Sequence, residues 1–149
     1  MSMGGVVASI LAARRKNNIK ALCLRAPATV LVDDIKAGKI QDAIFSLDDL
    51  PEFIDFGGLK VGRCFVNDAL KLDIYAEASA FDKKVLLLHG DCDKTVPIKY
   101  SEKYAELYGE NARLIIVHGA KHSFDTIEVR RKFIEITAEF LEDQAKKEV

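Results

Sequence analysis

The sequence predicts an α/β fold built on parallel strands, and three observations predict it. The segments "KKVLLLHG" and "ARLIIVHG" each carry a continuous apolar run closed by His-Gly, the pattern of a strand covered on both faces. Between and after them, apolar residues recur at helical spacing: Tyr100, Tyr104, Leu107 and Tyr108, then Val129, Phe133, Ile136 and Phe140. The order along the chain is helix, strand, insertion, strand, helix, strand, helix. Such alternation means a parallel sheet joined by right-handed crossovers.

The individual elements follow from local chemistry. Residues 4–18 read as a helix, with Val6, Val7, Ile10 and Leu11 on its apolar side. Arg14, Arg15 and Lys16 sit in its last turn, where cations suit the helix dipole, and Asn17 and Asn18 are its expected terminators. Ile19 to Leu24 is a short apolar strand closed by Ala26 and Pro27. Residues 28–80 carry the weakest pattern: "DDIKAGKIQDAIFSLDDLPEF" mixes short amphipathic pieces with acidic breaks, and "FGGLKVG" supplies flexible glycines. The expectation there is a helical, lid-like excursion inside one domain spanning 1–149. Val85 to Leu88 forms the next strand, Pro97 opens a helix, and Asp125 with Glu128 resembles a capping box for the last one.

Composition narrows the function classes. The chain has 149 residues, 49% of them apolar and 30% charged, with a net charge of −1, which suits one globular domain. That balance gives no electrostatic case for nucleic acid or an anionic membrane as partner. No apolar run approaches the roughly 18 to 20 residues that span a bilayer, and none has the pattern of a signal peptide. Cys23, Cys64 and Cys92 are odd in number and far apart, so they read as reduced thiols of a cytoplasmic protein rather than a disulfide framework or metal site.

Ser2, Asp93 and His122 stand out by position. Ser2 precedes the first helix, Asp93 follows one buried strand, and His122 follows the next. Loops at the carboxyl ends of parallel strands gather along one edge of a sheet, so Asp93 and His122 are expected to meet there. A serine hydroxyl becomes a useful nucleophile when an imidazole takes its proton, and that imidazole needs a carboxylate to fix its tautomer. The order Ser, Asp, His is that of the α/β-hydrolases.

Three motifs make the resemblance specific. "SMGG" resembles the second half of the nucleophile elbow G-x-S-x-G, "HGDCDKTVP" resembles the acid loop of the α/β-hydrolase superfamily, and "GAKHSF" resembles its histidine segment. Together with "LDIYAEASAFDKKVLLLHG", they are most similar to small serine carboxylesterases, including feruloyl and cinnamoyl esterases, and to serine aminopeptidase-like hydrolases. The resemblance implies a partial α/β-hydrolase fold, the C-terminal half of the family's domain. The N-terminal half of the sheet is then absent, and Met1 lies inside the elbow. It implies Ser2 as nucleophile, Asp93 rather than Asp91 as the acid, His122 as the base and the Met3 backbone N–H as an oxyanion donor. The family's second oxyanion donor would lie upstream of Met1, and losing one such donor costs about 100- to 1,000-fold in turnover.

The implied activity is hydrolysis of a small acyl or aryl ester through an acyl-enzyme, with no metal or organic cofactor. Two alternatives stand beside it: a catalytically silent fragment that associates with itself or a partner, and a thioesterase or peptidase-like hydrolase. The Ile19 to Leu24 strand is expected at a sheet edge, where it would pair with a second copy or an N-terminal complement. His89, His118 and the tyrosines read as structural, and Cys92 as small buried or half-buried filler. Phe45, Phe53, Phe56 and Phe65 suit an acyl pocket or the insertion's own core equally.

Overall fold

The computed structural model describes residues 1–146. In chain order the first half contains α1 (Ser2–Arg14), β1 (Ala21–Arg25), α2 (Val30–Lys36), β2 (Lys39–Ile40), β3 (Ala43–Ile44), β4 (Phe53–Phe56) and β5 (Leu59–Gly62). The second half contains α3 (Arg63–Ala69), α4 (Ile74–Ala78), β6 (Lys84–Gly90), α5 (Lys99–Tyr108), β7 (Ala112–Val117) and α6 (Ile127–Lys146). These elements make two compact units, one formed by Met1–Ala28 together with the chain from Ile74 onward, the other by Thr29–Asp73.

The first unit is built on a three-stranded parallel sheet in the order β1-β6-β7. Central β6 explains its own composition. Val85, Leu86, Leu87 and Leu88 are all buried, because neighbours cover both its faces. One face turns Leu86 and Leu88 toward α6, where Phe140, Phe133 and Ile136 join Ala21, Cys23 and Ile115 in a single cluster. On α5, Tyr100, Tyr104 and Tyr108 are buried, and the Tyr104 hydroxyl meets the buried Ser9 hydroxyl of α1 at 2.9 Å. The tyrosines therefore pack, as their spacing predicts.

Several boundaries shift. The first helix covers Ser2–Arg14 rather than 4–18, and Lys16–Asn18 tightens into a 3₁₀ turn before the strand. The last helix is capped by Thr126, whose Oγ1 accepts from the Val129 N–H at 3.2 Å, and not by Asp125. At the N-terminus of α1, Gly5 lies against Pro27, close enough that a Cβ would sit 3.2 Å from the proline Cα.

The expectation of a helical excursion over 28–80 is corrected. Thr29–Asp73 contains two helices but also two antiparallel hairpins, β2-β3 and β4-β5, and α4 belongs to the first unit. In β4-β5, Phe56 pairs with Leu59 across Gly57 and Gly58, both at positive φ, a two-residue turn that the glycine pair closes without strain. The core of this unit is Ile35, Ile40, Ile54, Val66 and Ala69, with Phe45 and Phe56 packed against it. Phe53 and Phe65 are exposed.

At the carboxyl ends of β6 and β7 the two following loops are in backbone contact. The Cys92 N–H donates to the Ala120 carbonyl at 3.1 Å and the Asp91 N–H to the Val117 carbonyl at 3.3 Å. A Cβ at Gly90 would lie 2.1 Å from the Ala120 oxygen, so no side chain fits there. We expect Gly90→Ala to force the loops apart and to cost about 1–3 kcal/mol, as overpacking of a rigid site does. Chemical denaturation measures this, and an unchanged midpoint would show that the loops have room to spare.

Candidate active site

The residues singled out by the sequence lie at the carboxyl end of the three-stranded sheet. Ser2 opens α1, and its carbonyl accepts from the Ala28 N–H at 3.1 Å, just beyond the end of β1. Ser2 adopts φ 52°, in the left-handed region that a residue with a side chain rarely occupies. This is the kind of backbone strain that a sharp turn into a helix imposes. Asp93 lies in the loop after β6 and His122 in the loop after β7.

Asp93 and His122 meet. His122 Nδ1 lies 2.7 Å from Asp93 Oδ2, and the Asp93 side chain is fully buried. Asp93 Oδ1 accepts from the Thr95 and Val96 N–H groups at 2.9 and 2.8 Å. The carboxylate is thus held at both oxygens. Because a carboxylate accepts, Nδ1 carries the hydrogen, and Nε2 is left as the acceptor face of the neutral ring. Among the described residues no hydrogen bond joins the Ser2 hydroxyl to that face. The structure brings acid and imidazole together and puts the serine on the same edge.

Asp91 turns elsewhere, toward the neighbouring loop. Its Oδ2 meets His118 Nδ1 at 2.8 Å and its Oδ1 accepts from the Gly119 N–H at 2.7 Å. The His118 bond, then the Gly119 bond, hold its carboxyl below the usual carboxylate range. The Met3 N–H belongs to the first turn of α1, where helix geometry provides no acceptor for it. Met3 itself projects its side chain into solvent. Among the described residues, no group of three or more His, Cys, Asp and Glu side chains could hold a metal ion. No helix of the described chain is long and apolar enough to cross a membrane.

Comparison with known proteins gives the family and the fold. The chain matches the prolyl oligopeptidase family over residues 1–148. It belongs to that family. Among solved structures, it is similar to Est1E from Butyrivibrio proteoclasticus, with 27% identity and a TM-score of 0.88 over 97% of this chain. It spans 59% of the Est1E chain. Another structure of that protein, with ferulic acid bound, matches with the same identity and score and is 57% covered. A monoacylglycerol lipase from Paleococcus ferrophilus shares the fold at 20% identity and a TM-score of 0.68, over 96% of this chain and 66% of that one. No curated protein sequence matches. The family member described here is therefore an α/β-hydrolase by fold, spanning well under two thirds of the Est1E length.

The three thiols sit in unlike surroundings. Cys92 is exposed rather than half-buried filler, and its hydrogen bond to Asp91 raises its pKa. Cys64 is exposed, whereas burial pushes the half-buried Cys23 thiol up to about 11. We expect iodoacetamide at pH 8 to label Cys64 first, Cys92 more slowly, and Cys23 only after unfolding, because the thiolate is the reactive form. Peptide mapping by mass spectrometry reads the order, and early labelling of Cys23 would contradict its packing against the Leu86, Leu88 and Phe140 cluster.

Proposed function

We propose that this chain is a serine hydrolase of the carboxylesterase type, acting on a small acyl or aryl ester. The observation that carries the reading is the 2.7 Å pairing of His122 Nδ1 with a buried Asp93 carboxylate whose other oxygen is tied by two backbone N–H groups. Nothing about packing requires an imidazole to be oriented this way at a sheet edge. Proton transfer from a nucleophile does.

In this reading, Ser2 Oγ attacks the ester carbonyl carbon while His122 Nε2 takes the hydroxyl proton. The C–O bond to Ser2 forms and the carbonyl π electrons move to oxygen, where the Met3 N–H at the positive end of α1 meets the developing charge. Collapse expels the alcohol, which receives the proton from His122. Water, deprotonated by the same nitrogen, then attacks the acyl carbon; the bond to Ser2 Oγ breaks, His122 returns the proton to that oxygen, and the acid is released. Asp93 keeps the ring in the productive tautomer and stabilises its cationic form throughout. No cofactor takes part in this scheme.

The substrate proposal leans on Est1E, which has been solved with ferulic acid bound. At 27% identity, an aromatic acyl ester is the first class to try. The prolyl oligopeptidase match supports a second reading, peptidase-like hydrolysis of an amide through the same residues. A 149-residue polypeptide corresponding to 59% of Est1E is expected to turn over more slowly than that longer relative. A cytoplasmic setting would suit its free cysteines.

For partners, we propose that β1 is an association edge. It pairs with β6 on one side, and its other side offers backbone donors and acceptors to a strand from a second copy or an N-terminal complement. On α1, Met3, Val7 and Leu11 recur every fourth residue and are each at least half exposed, at 51%, 59% and 50%. Such a stripe favours contact over solvent.

A fluorophosphonate probe should label Ser2, and a short-chain aryl ester should be hydrolysed faster than the matching anilide. Ser2→Ala or His122→Ala should each lower that hydrolysis by at least about a hundredfold. Turnover that survives Ser2→Ala would sink the mechanism, and preference for the anilide would favour the peptidase reading. Static light scattering on dilute protein is expected to give a mass above that of one chain. A monodisperse monomer would show that the β1 edge is satisfied without a partner.

A further inference from the structure

His89 is fully buried at the end of β6, and both of its ring nitrogens are engaged. Nε2 lies 2.8 Å from the Val96 carbonyl, and Nδ1 lies 2.6 Å from the hydroxyl of Ser101, itself buried on α5. A carbonyl can only accept, so Nε2 carries the hydrogen, and in the neutral ring Nδ1 accepts from Ser101. The same Nε2 is 3.4 Å from Asp93 Oδ2, the oxygen that binds His122. Val96 is therefore gripped at both ends: its carbonyl by His89, and its N–H by Asp93 Oδ1 at 2.8 Å.

We propose that His89 is a positioning residue for the acid–imidazole pair, fixing the turn that aims Asp93 at His122. The inference rests on the hydrolase reading given above. A hydrogen on Nε2 does two things from one place. It anchors the carbonyl of the residue whose N–H holds one carboxylate oxygen, and it turns the positive edge of an imidazole toward the other oxygen. Asp93 then faces His122 with few alternative rotamers, since its side chain has no solvent to swing into. The Val96 carbonyl sets which nitrogen of His89 bears the hydrogen, and Ser101, donating to Nδ1, holds the ring against α5, which links that helix to the chemistry without touching substrate.

Two substitutions separate this role from simple packing. Gln at residue 89 places an N–H₂ group where Nε2 stands, whereas Asn reaches only as far as Nδ1. His89→Gln should keep turnover within about threefold of the parent. His89→Asn should lower kcat by roughly 10- to 100-fold with KM little changed, the cost of a misaligned catalytic group. A second readout is independent of turnover: the low-field ¹H resonance of the hydrogen between His122 Nδ1 and Asp93 should persist in His89→Gln and broaden away in His89→Asn. In the unmodified protein, long-range ¹H–¹⁵N correlation should place the His89 hydrogen on Nε2. Equal losses of activity and resonance in both variants, tracking their loss of melting temperature, would overturn the proposal, as would a hydrogen on Nδ1 in the unmodified protein. If the unmodified chain hydrolyses neither ester nor amide, the hydrolase reading fails, while the resonance and tautomer measurements still decide what His89 does.

Discussion

Gly90 and Ala120 approach so closely that even a methyl group at residue 90 would collide with a backbone carbonyl oxygen, and the site depends on that approach. Asp93 and His122 are 29 residues apart in the chain, and they come within hydrogen-bonding distance because the loops that carry them share backbone bonds immediately beyond the sheet. The register of β6 against β7 fixes where those loops leave the strands, with Gly90 opposite Val117. Asp91 adds a second tie on the solvent side, through His118 and the Gly119 N–H. Loop geometry here is set by contact between backbones, which leaves little freedom for the side chains that do the chemistry.

β6 makes a concentrated contribution to the core behind this arrangement. Each fully buried aliphatic side chain there contributes about 1.5–3 kcal/mol relative to exposure, and four in succession are buried. Exposed ion pairs such as Arg14 with Glu77 and Lys16 with Asp82 are worth about 0–1 kcal/mol each in water. They tune the surface; they do not hold the sheet. One strand thus supplies the core and also delivers His89, Gly90 and the acid loop, so stability and site geometry are coupled through the same seven residues, Lys84–Gly90.

Much of this was legible from residue patterns, and the exceptions have physical causes. The strands and helices of the first unit carry strong periodicity, so their existence was readable while their ends moved by a few residues. Asp93 was distinguishable from Asp91 because motif spacing, unlike charge, encodes loop position. The hairpin at Gly57 and Gly58 did leave a signal, a glycine pair between apolar runs, which is a standard two-residue turn and was read only as flexibility. The β2-β3 hairpin left almost none: its turn places Gln41 at positive φ, a strain that no propensity announces. His89-Gly90 and His118-Gly119 are the same dipeptide at successive strand ends. Their fates diverge because His89 lies within β6, paired with Ile116, whereas His118 lies beyond Val117, the last residue of β7, so the first imidazole is enclosed and the second is in water.

The self-contained core of Thr29–Asp73 has a consequence for how such a protein can change over evolutionary time. Every member of the Ile35, Ile40, Ile54, Val66 and Ala69 cluster, and every partly buried residue packed on it, comes from within that stretch. Selection on its packing therefore acts through its own sequence alone, without drawing on the strands that align Asp93 and His122. A lineage could replace these residues piecemeal, or exchange the whole segment between its two attachment points after Ala28 and before Ile74, and keep the sheet intact. Novelty could accumulate in one part of the chain while the chemistry in the other is inherited unchanged.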